Sequence, residues 1–148
     1  MTRARRAPRH ASRQAALQVL YAIDVASAEA SIDDVFGRVT DHFDLPEGAR
    51  AFAKELVCGA IGEREAIDAA IARHAHHWRV ERMAAVDRNV LRLGVYEILY
   101  TDTPAAVAID QAVELARRFG AETSAGFVNG VLDAVAREAG RGRAEPLE

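Results

Sequence analysis

Apolar residues recur every three to four positions along most of this chain, the period of a helix face rather than of a strand. Ala16, Leu17, Leu20, Tyr21 and Ile23 predict a first helix from about Ala11 to Ala28. Ser31 is placed to cap the next, with Asp34 following in capping-box fashion. Ile32, Val35, Phe36, Val39 and Phe43 then keep helical spacing until "DLPEG" breaks it. Pro46 and Glu47 suit the first turn of a long third helix. Phe52, Leu56, Ala60, Ile67 and Ile71 mark that helix, which is predicted to run on to "RHAHHWR".

"VDRNVLRLGVYEILY" is apolar on more than one side, with one stripe of Val86, Val90, Leu93 and the acidic Glu97 and another of Leu91, Val95, Ile98 and Leu99. A helix apolar on several sides belongs in the middle of a bundle. After it, Thr103 is expected to cap and Pro104 to take the first helical position. Ala108, Ile109, Ala112, Val113 and Ala116 form the inner face of that next helix. Arg117, Arg118 and Gly120 mark its end. Thr123 or Ser124 is expected to cap a last helix bearing Phe127, Val128, Val131, Leu132 and Val135. Inside it, Asn129-Gly130 is by itself a hairpin signal. The helical spacing around it overrides that signal, and Gly130 is expected where another helix backbone comes close.

The pattern therefore predicts an all-α fold of about six helices in one domain, residues 1–148, with "GRGRAEPLE" (140–148) a disordered tail. Composition agrees: half of the residues are hydrophobic but only 6% aromatic, so alanine-rich helices supply the core. No apolar run approaches the ~20 residues that span a bilayer. The chain has one cysteine, which fits a reducing, cytoplasmic setting without disulfides.

Charge adds what periodicity cannot. Residues 1–13 carry five arginines and no acid, +5, so the net −3 leaves −8 for the remainder. A basic arm at residues 1–10, leading into the first helix, suits a polyanion, and the acidic body suits a basic partner. Arg5, Arg9 and Arg13 repeat at i, i+4, and arginine's planar fork donates bidentate hydrogen bonds to phosphate. A solvated tail is the plainer reading, and charge alone does not choose between the two.

Other candidates favour plainer readings. His74, His76 and His77 lack further ligands to complete a metal site. Cys58 sits in an apolar pattern and reads as core, and Trp78 as a packing anchor at a helix end. No phosphate-binding glycine loop, zinc-protease motif or nucleophile elbow is present, so no catalytic residue and no cofactor is expected. Phe127 reads first as core. At a helix N-terminus it is also placed to stack on an RNA base.

Four segments together, "RHASRQAALQVLYAID", "VDRNVLRLGVYEILY", "AVAIDQAVELARRFG" and "SAGFVNGVLDAVA", resemble the NusB family of bacterial antitermination factors. The resemblance covers about Arg9 to Ala136, and "FVNGVLD" is its most specific part. It implies two packed three-helix bundles and a non-enzymatic protein. Such a protein binds boxA RNA of ribosomal RNA transcripts together with NusE, a small-subunit ribosomal protein. It serves the antitermination complex of RNA polymerase. The implied RNA-binding residues are Arg9, His10 and Arg13 with Arg5 and Arg6 upstream, Tyr21, Thr123, Ser124 and Phe127. Some members have consecutive arginines where this chain has Arg9, His10 and Ala11, and Asp-Ser where it has Thr123-Ser124. Glu81 and Asp87 fall on the surface that resembles the NusE site. Tyr21 also has a core reading.

Two other functions stay in view. NusB-like domains occur fused before rRNA cytosine methyltransferases, which would require a catalytic domain beyond Glu148. A homodimeric interaction module, with the basic arm incidental, is the other.

Overall fold

In the computed structural model the backbone is described for residues 2–26 and 31–141, and the side chains of those residues from Arg9 onward. The described residues are all-α. Helices α1 (Thr2–Val25), α2 (Ile32–Thr40) and α3 (Glu47–Gly62) form one compact unit, which ends at Gly62. Helices α4 (Arg64–His74), α5 (Ala85–Tyr100), α6 (Ala105–Phe119) and α7 (Ser124–Glu138) form a second, with a 3-10 turn at Val80–Arg82.

The expected long third helix is thus two helices. Glu63 leaves helical geometry at φ −107° and ψ 21°, and the unit boundary falls there. Gly62 weakens the helix at that point, by about 1 kcal/mol relative to alanine. The apolar period passes from Ala60 to Ile67 without slipping phase, which is why the break does not show in the pattern.

In the first unit, α1 lies along α3 on alanines. Ala15, Ala16, Ala49 and Ala53 are buried, so the two helices approach closely. The Ser12 hydroxyl, fully buried, donates to the Ala49 carbonyl at 2.7 Å and sets their register. Ser31 caps α2 as expected, its Oγ accepting from the Asp34 N–H at 3.0 Å. Helix α1 begins at Thr2 rather than near Ala11, so the basic segment is the start of the helix. The predicted end at Ala28 lies outside the described residues.

In the second unit α5 packs against α4, α6 and α7. Its residues Asn89 to Val95 are all buried, the polar Asn89 and Arg92 along with the apolar stripe residues Val90, Leu91, Leu93 and Val95. Arg92, 6% exposed, makes a two-pronged pair with Asp68 on α4, Nε to Oδ1 at 2.8 Å and Nη2 to Oδ2 at 3.0 Å. The helical glycine pressed by neighbouring helices is Gly94, not Gly130. A Cβ at Gly94 would lie 2.6 Å from Leu132 Cδ1, whereas one at Gly130 would meet nothing within 4 Å.

Several local expectations change. Pro104 itself is the N-cap of α6, without a side-chain cap bond, and the Thr103 N–H donates to Thr101 Oγ1. Cys58 is exposed, because it faces away from the stripe of Ala49, Ala53, Leu56, Val57 and Ala60. Trp78 is 57% exposed, in the turn beyond α4. The tail begins in order. Gly140 takes φ +74°, Arg141 N–H donates to the Ala136 carbonyl, and the Arg141 guanidinium donates to the carbonyls of Ile98, Thr101 and Thr103. Residues 142–148 lie outside the described residues.

Candidate nucleic-acid interface

On α1 the side chains of Arg9, His10, Arg13 and Tyr21 are described. Those of Arg5 and Arg6, which fall in the same helix, lie outside the described residues. Arg9 is exposed, and its guanidinium carbon sits 4.2 Å from the centre of the Phe52 ring on α3. Arg13, one turn on, approaches the same ring at 5.6 Å but is only 5% exposed. The i, i+4 spacing therefore places both arginines on one face, and packing separates their fates: Arg9 faces solvent, Arg13 does not. His10 is half-buried, its Nε2 3.2 Å from Gln14 Nε2. Tyr21 is 39% exposed, so its core reading gives way to a surface one.

The turn before α7 is compact. A Cβ on Gly120 would fall 2.6 Å from Ser124 Oγ and 2.8 Å from the Ala116 carbonyl oxygen. Ser124 is buried, and its Oγ accepts from the Ala121 N–H at 2.9 Å. That hydroxyl shapes the turn instead of capping the helix. Thr123 is the N-cap by backbone alone and is exposed, while Phe127 is partly exposed in the first turn. Of the three residues here, Thr123 and Phe127 reach the surface.

The acidic pair lies around the start of α5. Glu81 is exposed on the 3-10 turn, 3.8 Å from Arg79. Asp87 is half-buried in the first turn, and its Oδ1 is buried with no hydrogen-bond partner among the described residues. A buried, unsatisfied carboxylate oxygen is costly unless something donates to it. Arg88, which sequence reasoning did not single out, holds the region together. Its Nη1 donates to the carbonyls of Met83 at 2.9 Å and Val80 at 3.3 Å, which fixes the turn bearing Glu81 against α5.

His74 instead bonds Glu138 at 3.0 Å, and His76 and His77 are exposed. Among the described residues, no three His, Cys, Asp or Glu side chains are grouped to hold a metal ion. No helix among them is long and apolar enough to cross a membrane.

The model of the NusB family matches residues 10–137. The transcription antitermination protein NusB of Sorangium cellulosum is 47% identical over 135 residues, covering 90% of this chain and 94% of that one. Its counterpart in Solibacter usitatus is 46% identical, covering 95% and 96%. Among solved structures, T. maritima NusB superimposes with a TM-score of 0.81 at 34% identity, over 88% of this chain and 91% of that one. Antitermination factors NusB and NusE in complex with double-stranded RNA provide a second match, with a TM-score of 0.81 at 30% identity over 88% and 97%.

Proposed function

The chain belongs to the NusB family, and from that premise we propose that it is a cytoplasmic, non-enzymatic transcription antitermination factor. It binds boxA RNA of ribosomal RNA transcripts together with NusE, and supports read-through by RNA polymerase. The observation that carries the RNA assignment is Arg9. Its guanidinium is exposed, and among the described residues no carboxylate neutralises it. Its forked donors are therefore available to phosphate.

In this mechanism α1 supplies charge, with Arg9 at the surface and Arg5 and Arg6 in the same helix. Each phosphate neutralised releases counterions. Thr123 and Phe127, at the N-terminus of α7, and Tyr21 on α1 supply polar and stacking contacts to unpaired bases. His10 adds a polar group beside Arg9. Arg13 and Ser124 serve by shape, since both are buried. The carboxylates of the exposed Glu81 and the half-buried Asp87 are the groups that meet basic donors of NusE.

The test is a titration of boxA RNA and a scrambled control, with and without NusE, over a range of salt. Arg9→Ala is expected to weaken boxA binding several-fold and to flatten the slope of log K against log salt by about 0.7–1. Arg13→Ala is expected to lower thermal stability as well. An Arg9→Ala protein with unchanged affinity and slope would remove the arm from the mechanism.

A further inference from the structure

The ring of Phe52 touches the charge of the arm without belonging to it. Phe52 lies on α3, is partly buried, and has two guanidiniums against it, Arg9 at 4.2 Å and Arg13 at 5.6 Å. Next to this contact the buried Ser12 hydroxyl bonds the Ala49 carbonyl at 2.7 Å, so the register of α1 on α3 is fixed where the arginines meet the ring. We infer that Phe52 is a positioning residue for RNA binding: its ring holds the Arg9 guanidinium in place before RNA arrives.

Arginine is rich in rotamers, and a free side chain loses that freedom when it grips a phosphate. A guanidinium already held on a ring has lost part of it in the unbound protein. The aromatic quadrupole attracts the cation without cancelling its charge, unlike a carboxylate. Arg9 therefore stays fully available to an anion. Arg13 takes the inner position by the ring and is 5% exposed, which leaves the outer one to Arg9. Of the two arginines near the ring, Arg9 is thus the one that is both held closely and open to solvent. The inference rests on the RNA-binding reading above, and it adds a residue that contacts no RNA itself.

The test is a double-mutant cycle on the full chain, read by boxA RNA titration, with helicity by circular dichroism and co-elution with NusE as controls. Phe52→Leu keeps an apolar side chain but no ring and is expected to weaken RNA binding about 3- to 10-fold. Phe52→Tyr keeps the ring face and is expected to restore most of that affinity. In an Arg9→Ala background, Phe52→Leu is expected to cost little more, because the residue acts through Arg9. Equal losses in both backgrounds overturn the inference, as does full affinity in Phe52→Leu when Arg9→Ala is weakened. In that last case the RNA-binding reading itself survives. An Arg9→Ala protein that binds like wild type removes the arm and Phe52 with it. Should Phe52→Leu fail to fold, 3,4,5-trifluorophenylalanine at position 52 keeps the ring's shape and removes most of its quadrupole. The same loss is expected there, and wild-type affinity overturns the inference.

Discussion

Two glycines inside helices separate what local propensity says from what packing demands. Gly130, in α7, is exposed and has nothing within 4 Å of where a Cβ would stand. Gly130→Ala should raise stability by about 0.5–1 kcal/mol, since alanine costs less unfolded-state entropy and fits the helix. Gly94 is the reverse case. Its added Cβ would sit 2.6 Å and 3.2 Å from the two methyls of Leu132, itself fully buried. Overpacking costs about 1–3 kcal/mol, so Gly94→Ala should destabilise despite its better propensity. Urea denaturation of the two variants checks both signs. In sequence the two glycines look alike, and only the neighbour across the helix interface tells them apart. The same holds for Arg9 and Arg13, whose spacing is legible but whose burial depends on α3.

At the scale of elements, the end of α7 is held to the end of α4 by a charge cluster. Glu138 is the last residue of α7, where the helix dipole disfavours an acid. Arg73 compensates, its Nη2 3.0 Å from Glu138 Oε1, and His74 Nε2 lies at the same distance. The Arg73 hydrogen bonds first, and the His74 bond second, lower the Glu138 carboxyl from 4.5 to about 2. The folded chain therefore binds this proton less readily than the unfolded one. The resulting stability is fully present above pH 4.5 and is lost as pH falls toward 2. Glu138→Gln should flatten the fall of Tm across that window, and thermal melts of both proteins at a series of pH values will show it. Equal slopes would mean that the cluster contributes nothing to acid sensitivity. Helix existence and order were readable from the apolar period. The break at Glu63 was not, because a change of direction need not disturb a period.

For the whole molecule, the proposed function divides the charge asymmetry of the chain between two surfaces, the basic one for RNA and the acidic one for NusE. Any coupling between the two sites is reciprocal: the factor by which NusE raises RNA affinity equals the factor by which RNA raises NusE affinity. Asp87→Lys places a cation where a basic partner is expected, in a first turn that already favours an acid. It should abolish co-elution with NusE and the affinity gained from NusE, while boxA binding by the protein alone persists. Normal co-elution of the variant would refute the assignment of that surface.

The sequence by itself determined the all-α class, the order of the helices and the family, because helical period and short motifs are local properties of a chain. It also placed the basic arm and the acidic body. The tertiary structure alone decided which of the candidate residues reach solvent. Tyr21, Thr123 and Arg9 do, while Ser124 and Arg13 turn inward. It also decided that Phe52, 43 residues from Arg9, stands against the arm. Burial and contact across such separations depend on how helices pack, and no window of sequence contains that information.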